Sequence, residues 1–100
     1  MTAKGGYVYI TCNKYRTTLY IGVTANLYAR ISEHKSGKGS KFTSRFRCYD
    51  LIYWEFHSRI EEAIEREKQL KNWKRSWKDN IIKEFNPTLK DLFPDISEMQ

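Results

Sequence analysis

The sequence predicts one small α/β domain with its elements in the order β-β-α-β-α-α. Three observations carry this expectation. Residues 7–12 and 18–22 are dominated by β-branched and aromatic side chains and flank a polar, turn-like segment at 13–17, which reads as an antiparallel hairpin. Segments at 26–35 and 59–74 place apolar residues three and four apart, the spacing of one helix face. A chain of 100 residues with 40% hydrophobic and 15% aromatic content can fold around one core but has no room for a second.

Side chains alternate along a strand, so Tyr7 and Tyr9 share one face while Val8 and Ile10 share the other. If Leu19 and Ile21 pack beside Val8 and Ile10, Tyr9 and Tyr20 come together on the opposite face. Each tyrosine, taken alone, reads as an ordinary amphipathic strand residue. The chain is expected to turn at Gly22 and restart as a helix capped by Thr24 or Asn26, whose side-chain oxygens can hold a free amide of the first turn. Residues 36–47 contain glycines and serines and read as a mobile loop. A third strand spans 50–56, and its nearly unbroken apolarity suits the middle or the better-covered part of a small sheet. Ser58 is the expected cap of the long helix, and Ser76 of a last helix over 77–85, which Asn86-Pro87 ends. Leu89, Leu92 and Phe93 are expected to lay a short turn of helix against the core, with residues 94–100 frayed.

A net charge of +6 and a pI near 9.4 point to a polyanionic partner, nucleic acid before membrane. Neither a signal peptide nor a membrane-spanning run is visible, so a cytoplasmic location is expected. Cys12 and Cys48 lack metal-ligand spacing and read as two buried free thiols. Lys35, Lys38, Lys41, Arg45 and Arg47 fall in or beside a stretch without any acidic residue, interleaved with Phe42 and Phe46. A solvated loop is one reading. The aromatics favour contact with a nucleic-acid backbone, with stacking on an unpaired base as a variant of it. Gly37-Lys38-Gly39-Ser40 lacks the spacing of a phosphate-binding P-loop.

Two anomalies mark a site. Leu27, Arg30, Ile31 and His34 share one face of the first helix, and a face used only for packing has no reason to carry a cation and an imidazole. On the long helix Ile60, Ala63, Ile64, Leu70 and, if the helix runs that far, Trp77 form an apolar stripe with Glu67 at its centre. Glu67 is either a structural partner of Arg30 or a lysine, or a carboxylate that ligates a metal with open coordination.

These residues resemble the GIY-YIG nuclease domain. Its first motif is similar to Tyr7-Val8-Tyr9, although the Gly-Ile of the family name is replaced, and its second is Tyr20-Ile21-Gly22 unchanged. Eleven positions lead from Tyr9 to Tyr20 and ten more to Arg30, which fits the family's spacing. His34, Glu67 and Asn86 match the family's histidine, metal-binding glutamate and closing asparagine, and the resemblance covers roughly residues 5–93. It implies a three-stranded antiparallel sheet flanked by helices, in a single domain over residues 1–100 of the kind found alone in bacteria. The implied reaction is hydrolysis of DNA phosphodiesters with one Mg²⁺ or Mn²⁺ on Glu67, in a setting such as repair or recombination. Tyr9 or Tyr20 would take a proton from the attacking water, Arg30 would neutralise phosphate charge, and His34 would position the water or shuttle a proton. Asn86 would support the site. The rival reading is a nucleic-acid-binding module of the same fold that does not cut, or cuts only with a partner protein that supplies specificity. Glu67 argues against a pure binder, because a carboxylate facing phosphate repels it.

Overall fold

The computed structural model describes residues 5–99 and bears out the small α/β architecture. Strands β1 (Gly6–Cys12), β2 (Leu19–Thr24) and β3 (Asp50–His57) form an antiparallel sheet in the order β2-β1-β3. Helices α1 (Leu27–Lys35) and α2 (Lys41–Phe46) connect β2 to β3, and α3 (Ile60–Asn72) and α4 (Arg75–Phe85) follow. A 3-10 helix spans Phe93–Met99. No helix among the described residues is long and apolar enough to cross a membrane.

The alternation of β1 divides the interior in two. Val8, Ile10 and Cys12 face Ile21 and Ile52 and receive Ala63 and Leu70 of α3 and Ile82 of α4. Tyr9 faces the other way, into a cluster with Leu27 and Ile31 of α1, Leu51, Leu92 and Ile96. β1 is therefore the central strand and β3 an edge, though one covered on both faces. A register shift between β1 and β3 at Ile10/Thr11 explains the unbroken apolar run of β3. It turns the consecutive residues Ile52 and Tyr53 into the same core, while Leu51 enters the other.

Several boundaries differ from expectation. β2 does not stop at Gly22 but pairs through Thr24. Asn26 is the cap of α1, its Oδ1 accepting from the Ala29 amide at 3.1 Å, while Thr24 Oγ1 accepts from the Asn26 amide one step earlier. The expected mobile loop contains α2, because Ser40 and Thr43 form a reciprocal capping box that offsets the cost of starting a short helix. Ser58 does not cap α3, because β3 runs on to His57 and the extended residue before the helix is Arg59. Nor does Ser76 cap α4: the chain breaks at Trp73 and Lys74 in extended conformation, and Ser76 lies inside the helix. That break leaves Trp77 off the apolar stripe and half-exposed.

The expected frayed tail is instead packed. Asn86, buried, donates its amide to the carbonyls of Ile52 at 3.2 Å and Lys90 at 2.8 Å, and the Leu92 amide donates to the Leu51 carbonyl at 2.7 Å. Ile96 is then buried in the same cluster as Tyr9. One isoleucine side chain contributes about 1.5–3 kcal/mol on burial, which is enough to hold a short 3-10 segment in place. The last residue of the expected tail, Gln100, lies outside the described residues.

Candidate active site

The site is built around Tyr9, which the sheet register places opposite Gly22. A Cβ at Gly22 would fall inside the Tyr9 ring, so bare backbone at this position lets the ring lie flat across β2. The ring's hydroxyl then reaches α1. There Arg30 Nε donates to Tyr9 Oη at 3.3 Å, and His34 Nε2 lies 2.8 Å from the same oxygen. The Tyr20 ring sits 6.3 Å from that of Tyr9 and 5.5 Å from His34, on the same sheet face. The four residues Tyr9, Tyr20, Arg30 and His34 are thus brought together, as their spacing predicts.

Burial sets their protonation. Tyr9 is only 1% exposed, and burial pushes its hydroxyl up to about 12. The Arg30 hydrogen bond pulls against that rise, while the charges of Tyr20 and Glu67 add to it. His34 is fully buried and is lowered to about 4, first by burial and then by the Arg30 guanidinium, so the imidazole is neutral at pH 7. Tyr20 is half-buried and more open to a substrate than Tyr9.

Glu67 projects from the side of α3 that carries Ala63 and Leu70, and its side chain is 16% exposed. It does not pair with Arg30. Arg30 bonds Tyr9 and Glu33, and the cation near Glu67 is Lys71, one turn along at 3.6 Å. Glu67 makes no hydrogen bond to the tyrosines among the described residues, yet its charge is felt at Tyr9. Nor do the described residues gather three or more acidic, His or Cys side chains around a common point. A divalent ion here would have one protein carboxylate and otherwise water and substrate, and Glu67, held only by a long lysine contact, is chemically suited to that.

The basic residues separate into two groups. Lys35 points to the C-terminal segment, bonding Asp91 at 2.5 Å and approaching Asp50 at 3.8 Å. Lys38, Lys41, Arg45 and Arg47 form no ion pair among the described residues; Arg45 lies over the Phe46 ring. Phe42 and Phe46 are both about half-exposed, with ring centres 4.7 Å apart, and the Phe42 ring lies 5.7 Å from that of Tyr20. A row of aromatic rings therefore runs from Tyr9 to the outer surface of α2, bordered by cations. Asn86 bonds none of these side chains among the described residues and ties the Ile52 carbonyl to that of Lys90. Sequence reasoning passes over Thr43, which is buried and bonded to His34 Nδ1 at 2.9 Å. The signal available for it is the Ser40-to-Thr43 spacing of a capping box.

A hydroxyl, a guanidinium and an imidazole gathered over a three-stranded sheet, with a helical carboxylate and a basic helix beside them, define a nuclease-like domain. The family model described as the GIY-YIG catalytic domain matches residues 5–80, and the chain belongs to the GIY-YIG family, in its UPF0213 branch. It is 42% identical over 78 residues to a UPF0213 protein of Staphylococcus haemolyticus, covering 78% of this chain and 94% of that one. A UPF0213 protein of Bacillus pumilus is 40% identical over 68 residues, 68% of this chain and 69% of that protein. The solution NMR structure of a UPF0213 protein from Bacillus halodurans superposes with a TM-score of 0.56 at 26% identity, covering 96% of this chain and 99% of that one.

Proposed function

We propose that this chain is a metal-dependent endonuclease that hydrolyses phosphodiester bonds in DNA. The observation that carries the reading is the Tyr9 hydroxyl, buried and bonded at once to Arg30 and His34. A structural tyrosine needs one partner, whereas this one joins a fixed cation to a neutral imidazole. At a pKa of about 12 only about one Tyr9 in a hundred thousand is ionised at pH 7, so it cannot act as a free phenolate. It can act as a relay. The Tyr9 oxygen accepts a proton from the attacking water as its own proton moves to His34 Nε2.

Arg30 presents its remaining donors to the phosphate, neutralising charge as it builds. A phosphodiester beside Arg30 also offsets the positive field that depresses His34, making the imidazole a better acceptor once substrate is bound. Glu67 would hold the divalent ion, Mg²⁺ or Mn²⁺. When bound, the ion supplies charge stabilisation at the scissile phosphate and leaving oxygen. Lys38, Lys41, Arg45 and Arg47 would carry the flanking backbone, while Lys35, engaged with Asp91, leaves that set. The depth at which Tyr9 is buried favours one alternative, a module that binds nucleic acid without cutting it.

Incubating the purified chain with labelled single-stranded, branched and duplex DNA decides between the two. Cutting is expected with Mg²⁺ or Mn²⁺ and none with chelator; binding without cutting on every substrate would leave the binding module. Neutralising Lys38, Lys41 and Arg45 together is expected to weaken DNA binding. The salt dependence should flatten by about 0.9 for each duplex phosphate that the protein no longer neutralises. An unchanged slope would mean that α2 does not touch the backbone.

A further inference from the structure

Thr43 is fully buried on the helix that carries Phe42 and Arg45, and the proton relay through Tyr9 leaves it unused. Its Oγ1 meets four groups: His34 Nδ1 at 2.9 Å, Ser40 Oγ at 3.0 Å, the Ser40 amide at 3.1 Å and the Ser40 carbonyl at 3.3 Å. A hydroxyl has one proton and two lone pairs, so the direction of these bonds can be counted. The Ser40 amide can only donate and fills one lone pair. The Ser40 carbonyl can only accept and draws the hydroxyl proton. Ser40 Oγ accepts the Thr43 amide at 3.1 Å, which closes the capping box, and keeps its own proton and a second lone pair.

The second lone pair of Thr43 can take a proton from His34 Nδ1 at 2.9 Å, and the direction of that bond is set from the Tyr9 side. A neutral imidazole has a single N–H, and placing it on Nδ1 leaves Nε2 as a bare acceptor towards the Tyr9 hydroxyl. Every proton then has an acceptor along one directed chain. Arg30 Nε–H donates to Tyr9 Oη, Tyr9 O–H to His34 Nε2, His34 Nδ1–H to Thr43 Oγ1, and Thr43 O–H to the Ser40 carbonyl. The opposite tautomer aims an N–H at Tyr9 and leaves the tyrosine's own proton without an acceptor among the described residues. The backbone at Gly39 closes the remaining side, where a Cβ would overlap the imidazole.

We infer that Thr43 is a positioning residue that fixes His34 as the Nδ1–H tautomer, leaving Nε2 free to receive the Tyr9 proton. The inference rests on the hydrolytic reading for its catalytic meaning but not for its structural content. It joins two tasks on one short helix. The segment that presents Phe42 and Arg45 to nucleic acid also sets the direction of proton flow beneath them.

The test combines histidine ¹⁵N NMR with single-turnover cleavage. The chain has two histidines, His34 and His57, so His34→Gln assigns the spectrum. The native protein is expected to show His34 as the Nδ1–H tautomer. Thr43→Val keeps the side chain's shape and removes its acceptor, and His34 should move towards the Nε2–H form that free imidazoles favour. Cleavage should fall by about a hundredfold, at the lower end of what a positioned acid or base supplies, with DNA affinity within about twofold. Thr43→Ser should restore both tautomer and rate. Ser40→Ala separates capping from positioning, since it loosens α2 but keeps every backbone partner of Thr43. It should leave the tautomer unchanged and lower the rate no more than severalfold. An Nε2–H imidazole in the native protein, an unmoved tautomer in Thr43→Val, or equal losses in Ser40→Ala and Thr43→Val would each overturn the inference. A native protein that never cuts would refute the hydrolytic reading alone, and the NMR result would still decide the tautomer.

Discussion

Glu67→Gln is expected to abolish metal-dependent cleavage, by about a thousandfold or more, while leaving the domain folded. The substitution keeps shape and removes the carboxylate proposed to hold the divalent ion, and charge stabilisation of this kind is typically the largest single contribution to such a reaction. Stability should barely change. The ion pair that disappears is with Lys71, a 3.6 Å i,i+4 contact to a half-exposed lysine, worth about 0.3–0.5 kcal/mol. Had Glu67 compensated Arg30 in a deep pair, the same change would cost about 3–5 kcal/mol, but Arg30 is satisfied by Tyr9 and Glu33. DNA affinity should hold or rise, because one negative charge near the phosphate has gone. Melting, binding and cutting measured on one preparation check all three. A large drop in melting temperature, or full retention of cutting, would remove Glu67 from the metal-binding role.

Gly22→Ala is expected to damage both the fold and the site. The added carbon meets the Tyr9 ring and hydroxyl directly, and the ring has no alternative position: β1 is central and the side chain is 1% exposed. Overpacking of this sort costs about 1–3 kcal/mol. The functional loss should be larger than the loss of stability suggests. A displacement of the Tyr9 hydroxyl by about 1 Å breaks its bonds to both Arg30 and His34, and misplacement on that scale costs about a hundredfold in rate. Denaturant unfolding and cleavage on the same protein separate the two effects. Tyr9→Phe, which keeps the ring and loses the hydroxyl, provides the reference. Equal rates in Gly22→Ala and the native protein would show that the ring can move without consequence.

Much of the site can be read from spacing because strand and helix periods are rigid. With the aliphatics of β1 and β2 on one face, Tyr9 and Tyr20 have to share the other, and a helix beginning at Asn26 has to bring Arg30 and His34 round to the same side. The periodic signal misleads where a boundary matters. Ile64 and Trp77 fit the apolar stripe of one long helix, but the break at Trp73 ends the helix and both side chains are partly exposed. Ser58 and Ser76 have the chemistry of caps without the geometry, since strand length and the inter-helix break decide where a helix begins. α2 escapes a periodicity argument because a six-residue helix has too few turns to show a period. The pairing of Lys35 with Asp91 joins positions far apart in the chain, which no local pattern encodes.

The packing of residues 92–99 has a consequence in the order of synthesis. α1, which carries Arg30 and His34, is held between β1 and the 3-10 helix, sharing one cluster with Leu92 and Ile96. The strands, α1 and α3 are complete once residue 72 has been made, yet one of the two surfaces that α1 packs against does not exist until residues 92–96 follow. During translation the domain therefore passes through a stage in which α1 lies on the sheet without the 3-10 helix against it. Leu92, bonded to Leu51, and Ile96, in the core, then complete the cluster in which Tyr9 lies. A nascent or clipped chain that lacks these residues would carry α1 with one side uncovered, and Leu27, Ile31 and Tyr9 would lose the packing that Leu92 and Ile96 supply.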